Sequence, residues 1–121
     1  MTMLYERIQP KELFREQPKP KYIYVASKYS NGDKFKNTKD SIAVGEELIK
    51  LGFVPYLPLL SHFWNEISPH DYQYWLNYDM QWILRCDALL RLPGESLGAD
   101  MEVGYALKTG IPVFYSIVDI R

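Results

Sequence analysis

Cys86–Tyr115, CDALLRLPGESLGADMEVGYALKTGIPVFY, is the stretch from which the fold can be read. Asp87 to Leu92 is a short apolar run closed by Pro93-Gly94, the pattern of a buried strand. From Gly98 to Thr109, the residues Met101, Val103, Tyr105, Ala106 and Leu107 supply apolar surface at helical spacing, and Gly110 stops the helix. Ile111 to Ile117 is a further strand. Glu102 falls early in that helix, just past a glycine-punctuated loop at the carboxyl end of a strand. Open α/β sheets bind their ligands at that place.

The same alternation extends upstream. Tyr22 to Ala26, YIYVA, is rich in aromatic and β-branched residues and predicts the first core strand, followed by the polar turn Ser27 to Gly32. From about Thr38 to Leu51, Ile42, Ala43, Leu48, Ile49 and Leu51 fit one apolar face of a helix, which Gly52 ends. Phe53 to Leu57 predicts a second strand, and Pro55 inside it favours an edge position. Pro58 to Pro69 is then a connection. Ser68 and Pro69 fit the N-cap and first position of a helix running to about Arg85, with Tyr72, Trp75, Leu76, Met80, Ile83 and Leu84 inward. The order β-α-β-α-β-α-β predicts a single Rossmann-like three-layer α/β domain over residues 21–121, with a parallel sheet of about four to five strands. Residues 1–20 mix charges with three prolines and show no sustained period, so they are expected to form an N-terminal arm.

Composition narrows the partners. A chain of 121 residues holds one real core and not two. A formal charge of -1 gives no bulk attraction for a nucleic acid polymer, so any recognition of a nucleotide must be local. The single cysteine, Cys86, has no internal partner for a disulfide and fits a buried thiol in a reducing compartment. No stretch approaches the ~20 apolar residues of a membrane span, and no signal-like segment opens the chain; a cytoplasmic location with no membrane partner is expected.

Three loops converge on the carboxyl rim of the predicted sheet: Ser27 to Gly32, Leu57 to Trp64 and Pro93 to Gly98. Ser27, Lys28, Ser30, Ser96 and Gly98 offer hydroxyls, backbone N–H groups and one cation, which suit a phosphate beside a helix N-terminus. His62 on the second loop is a further candidate for binding the substrate, and the plainer readings are Lys28 as a solvated surface lysine, Ser96 as a helix N-cap and His62 as a packing histidine. Asp87, at a strand start, fits a structural role. Asp100 and Glu102 are two apart on one helix and do not face one pocket together. Glu102 lies near apolar packing that raises a carboxyl pKa, although an acid in a first helical turn also complements the helix dipole.

The spacing of these residues resembles a known family. Asp79, Trp82 and Asp87 in a D-x-x-W-x-x-x-x-D segment, followed by Ser96, Leu97, Gly98, Glu102, Gly104 and Ala106 in S-L-G-x-x-x-E-x-G-x-A, resemble the nucleoside 2-deoxyribosyltransferase superfamily. Within it the likeness is to 2′-deoxynucleoside 5′-phosphate N-hydrolases and small bacterial and phage relatives, over about residues 22 to 117. The resemblance implies that Glu102 is the nucleophile attacking C1′ and that Asp79 serves the nucleobase. Ser96 stands where the monophosphate hydrolases carry a phosphate-binding serine and the transferases an aspartate. It implies no cofactor or metal, and a homodimer or larger homo-oligomer, for which Trp64, Tyr74, Trp75 and Tyr78 are candidate interface residues; burial within the monomer is the equal alternative for these aromatics.

The leading expectation is therefore an N-glycosidase that cleaves the base from a (deoxy)nucleoside 5′-monophosphate through a glutamate nucleophile. A nucleoside 2-deoxyribosyltransferase, or a non-catalytic nucleotide-binding or sensing module of the same fold, is the alternative. The P-G-G-x-G-T-x-x-E pattern of cytokinin-activating phosphoribohydrolases fits less well, because Glu102 comes one residue late and the G-T pair is missing.

Overall fold

A computed structural model describes residues 21–120; the expected arm, residues 1–20, lies outside the described residues. The elements in chain order are β1 (Tyr22–Ala26), α1 (Lys34–Lys50), β2 (Val54–Tyr56), a 3-10 turn (Pro58–Leu60), α2 (Ser61–Ile67), α3 (Tyr72–Ile83), β3 (Ala88–Arg91), α4 (Leu97–Lys108), β4 (Val113–Phe114) and α5 (Ile117–Ile120). The four strands form one parallel sheet in the order β2-β1-β3-β4. In register, Tyr22 pairs with Val54, Tyr24 with Leu89 and Leu89 with Val113. Among the described residues no helix is long and apolar enough to cross a membrane.

Helices cover both faces, which is why the central strands β1 and β3 carry nearly unbroken apolar runs rather than an alternation. On one face Tyr24, Ala26 and Leu89 pack with Ile83, Cys86, Ala99 and Ala106, contributed by α3, α4 and the turn after α3. On the other, Ile23, Val25, Ala88 and Leu90 meet Leu48 of α1 and Ile120 of α5. The Cys86 thiol is buried, and desolvation together with the Asp87 carboxylate pushes its pKa up to about 11. Pro55 does lie in an edge strand, where its missing N–H costs no ladder hydrogen bond on the open side.

Several boundaries differ from the sequence expectation for local physical reasons. Helix α1 starts at Lys34, four residues before Thr38, because Asp33 caps it by accepting from Phe35 N (2.9 Å) and Lys36 N (3.1 Å). In its first turn the one apolar residue, Phe35, is exposed, so the turn adds no apolar residue to the buried face. Its buried residues are Asn37, Ser41, Gly45 and Leu48, whereas Ile42, Ile49 and Leu51 are exposed. Small residues let the helix backbone approach β2 and the segment after it: a Cβ on Gly45 would stand 3.4 Å from Leu57 Cδ1.

The expected connection from Pro58 to Pro69 contains the 3-10 turn and α2. Helix α3 is capped by Asp71, which accepts from Tyr74 N at 2.8 Å, and not by Ser68; the His70 N–H is taken instead by Asn65 Oδ1 at 2.8 Å. Ile83 is buried as expected, but Tyr72 and Leu84 are exposed. The last strand is cut to Val113–Phe114 because Ser116 turns the chain into α5, its Oγ accepting from Val118 N at 3.2 Å.

Candidate functional site

Parallel pairing carries the carboxyl ends of β1, β2 and β3 to one rim, and the segments after them are tied together there. Asn37 of α1 donates to the carbonyls of Tyr29 and Asn31, both at 2.8 Å, and so sets the shape of the first loop. Asn31 in turn donates to Glu95 O at 2.6 Å, joining the first loop to the third. Gly94 has φ +116°, open to glycine, and a Cβ there would lie 2.7 Å from Lys28 Cδ. Arg91, at the end of β3, donates to Leu92 O, to Gly94 O (2.8 Å) and to Asp100 Oδ1 (3.0 Å). Ser96 is the N-cap of α4, its Oγ accepting from Ala99 N at 3.1 Å.

Between these segments and α3 lies a cavity of about 620 Å³. Glu102 enters it from α4 and is 8% exposed. The Tyr24 hydroxyl, from the centre of the sheet, donates a hydrogen bond to Glu102 Oε2. Asp79 enters from α3, and its Oδ1 is buried without a hydrogen-bond partner among the described residues. Burial pushes the Glu102 carboxyl up to about 7, against the Tyr24 hydrogen bond and the Arg91 charge that pull it down. Burial and the neighbouring Glu102 charge push Asp79 to about 8. Desolvation, then the charges of Glu102 and Asp79, hold the Tyr24 phenol well above its ordinary range, so it remains a donor. Both carboxyls are thus held above the ordinary carboxylate range within one cavity, Asp79 further than Glu102.

Aromatic groups line the rest. Tyr29 of the first loop stacks on His62 of α2 with ring centroids 3.5 Å apart and planes within 9°. Burial and then the Lys34 charge hold the His62 pKa below its ordinary value, which favours the neutral ring. Trp75 is anchored by Asn65 Oδ1, which accepts from its indole N–H at 2.6 Å. The Tyr72 hydroxyl donates to Met101 Sδ at 3.6 Å and so links α3 to α4. The Ser27 Oγ is buried and has no hydrogen-bond partner among the described residues.

Of the residues singled out in the sequence, Ser27, Ser30, His62, Asp79, Ser96, Gly98 and Glu102 line this cavity. Lys28 is not among the lining residues; its side chain lies along Gly94. Asp87 accepts from Tyr22 N at 2.8 Å, tying the start of β3 to β1, and Asp100 pairs with Arg91. Trp82 of the D-x-x-W segment stacks on Tyr56, at 4.8 Å and 19°, and does not line the cavity. Sequence reasoning did not single out Tyr24, Tyr29, Asn31 or Asn65. Tyr24 had one usable signal, since strand alternation places it two residues before Ala26 on the same face of a central strand. The others act through contacts between separate loops and left no local pattern.

A family model described as a domain of unknown function, DUF4406, matches residues 21–115. No functionally curated protein matches the sequence. Among solved structures, a 2-deoxyribosyltransferase from the psychrotolerant bacterium Bacillus psychrosaccharolyticus is similar in fold, with a TM-score of 0.56 and 20% identity over 82% of this chain and 77% of that one.

Proposed function

We propose that this chain, which belongs to the DUF4406 family, breaks the N-glycosidic bond of a (deoxy)nucleoside 5′-monophosphate by a two-step displacement at C1′. The observation that carries this reading is the pair of buried carboxyls, Glu102 and Asp79, facing one cavity, with burial pushing the first up to about 7 and burial plus the Glu102 charge pushing the second up to about 8. In the first step a Glu102 oxygen bonds to C1′, the C1′–N bond breaks, and the Asp79 proton goes to the leaving base. In the second, water attacks C1′ and Asp79 takes its proton, releasing the sugar phosphate and Glu102. A second base in place of water gives transfer. The Tyr24 hydrogen bond holds the Glu102 carboxylate in one orientation, and the aromatic walls offer a stacking surface to a planar base. A homo-oligomer is part of this reading, with Trp64 and Tyr74, both partly exposed, as contact residues.

The phosphate end rests on the α4 N-terminus and on the hydroxyls of Ser27, Ser30 and Ser96. Capping uses a lone pair of Ser96 Oγ and leaves its O–H free to donate. One observation favours the second reading, transfer or hydrolysis on an uncharged nucleoside: among the described residues that line the cavity there is no Lys or Arg.

Incubating the protein with a panel of nucleosides and 5′-monophosphates and following free base by chromatography tests the proposal. Base release from monophosphates is expected; none from any substrate would end the enzyme reading in favour of a nucleotide-binding module. Ser96→Asp separates the two substrate classes, because aspartate also caps a helix and so preserves α4. Its charge is expected to lower kcat/KM for monophosphates roughly 100-fold while sparing nucleosides. Equal loss for both would remove the phosphate from the Ser96 end.

The pH dependence follows from the two carboxyls. Glu102 must be ionised, so the rate rises as pH passes about 7; Asp79 must be protonated, so the rate falls as pH passes about 8. A narrow bell in kcat/KM with its maximum between these values is expected. A profile flat from pH 5 to pH 10 would show that neither group takes part.

A further inference from the structure

We propose that Arg91 is a positioning residue for the reaction above, its buried guanidinium shaping the loop between β3 and α4 and holding a fixed positive charge on the Glu102 side of the sheet, with Asp100 moderating that charge. The inference rests on the glycosidase reading for its catalytic meaning, and on geometry for its substance. Arg91 pairs with Ala26 in register at the carboxyl end of β3. Strand alternation puts it on the same face as Leu89, the face that α3 and α4 cover and from which Tyr24 reaches Glu102.

Only 8% of Arg91 is exposed, on a strand whose other residues are apolar. A buried guanidinium is costly unless its donors are satisfied, and a neutral side chain of similar volume would pack there without that penalty. Its donors are spent on the loop itself: Leu92 O, Gly94 O and, across the first turn of α4, Asp100 Oδ1. The fork thus holds the segment between β3 and the Ser96 cap in one shape. The Asp100 side chain is 67% exposed, so solvent screens its negative charge more than the buried positive one it faces. Of the two charges, the buried Arg91 is the one that pulls the Glu102 pKa down.

Other groups act on Glu102 from every side. Tyr24 on β1 donates to it, Asp79 on α3 opposes its charge, and His62, His70 and Tyr72 stand elsewhere around the cavity. Burial raises the proton affinity of Glu102, and the Arg91 charge works against that rise. Arg91 and Asp100 therefore form a two-residue control on the ionisation of Glu102, one of them buried and one at the surface.

The test reads Glu102 directly, so that it does not depend on turnover. Carbon-13 NMR titration of the glutamate carboxyls, with Glu102 assigned through Glu102→Gln, is compared in the wild type, Arg91→Met, Arg91→Lys and Asp100→Asn. Arg91→Met is expected to move the Glu102 midpoint upward by about one pH unit, and Asp100→Asn to move it downward by a few tenths of a unit, roughly the smaller effect of a screened charge. Arg91→Lys keeps the charge and loses the fork, so its midpoint stays near wild type while KM for the reactive substrate rises. Structural damage alone would shift the Met and Asn variants in the same direction or leave both midpoints in place, and either result overturns the proposal. Should Arg91→Met fail to fold, the surface variant Asp100→Asn decides: a midpoint unchanged or raised overturns it. If no substrate releases base, the titration still stands by itself, so a failure of the glycosidase reading is distinguishable from a failure of this one.

Discussion

Glu102→Gln is expected to reduce base release by roughly three orders of magnitude or more, because it removes the attacking oxygen anion while leaving the shape of the side chain intact. The Tyr24 hydroxyl retains an acceptor in the amide oxygen, so the loss is expected without unfolding. Stability supplies an internal control. Burial raises the folded-state pKa of Glu102 from the ordinary glutamate value of 4.5 to about 7, so the wild type is penalised as pH climbs through that interval and not below it. The glutamine variant should therefore match or exceed the wild type in thermal stability at pH 8 and lose that advantage near pH 4. Retention of more than a tenth of the activity would remove Glu102 from the role of nucleophile. A large loss accompanied by a fall in melting temperature at both pH values would instead show a structural defect.

Leu89→Ala is expected to destabilise the fold by about 3 kcal/mol, within the range for leucine truncations in well-packed cores. Leu89 has no exposed surface, lies in a central strand and packs among Tyr24, Ile83, Cys86, Ala99 and Ala106. The cavity left there is closed on one side by the sheet hydrogen bonds and on the other by α3 and α4, so relaxation recovers little of the loss. Ile42→Ala makes the contrast: Ile42 is 41% exposed and outside both buried clusters, and should cost no more than about 0.5 kcal/mol. Chemical denaturation of both variants measures the difference. A cost below about 1 kcal/mol for Leu89→Ala, or equal costs at the two sites, would contradict the assignment of the core to that face of the sheet.

Ile42 also shows where one-dimensional reasoning reaches its limit. Ile42 and Ile49 carry the apolar signal of α1, yet the helix turns Asn37, Ser41, Gly45 and Leu48 inward. Close backbone approach and the two hydrogen bonds from Asn37 to the first loop decide its orientation, and neither registers as hydrophobic periodicity. The same holds for Lys28. Its position on a polar loop suits an anion, but the fold of the third loop around Gly94 sets its side chain against the backbone, away from the cavity lining.

What the sequence determined by itself was what acts over a few residues. The β1 run, the proline that assigns β2 to the edge, the helix stop at Gly110 and the alternation of strands and helices are local properties, and they were enough to place Glu102 beside a loop at the carboxyl end of a strand. What only the tertiary structure decided was which groups meet there. Tyr24 and Glu102 are 78 positions apart, and their hydrogen bond exists because β1 lies next to β3 and α4 returns across both. The burial of Asp79 against Glu102 and of Arg91 under α4 comes from that same packing. Proton affinities of buried groups depend on the dielectric and the charges around them. Those surroundings exist only once the layers have closed.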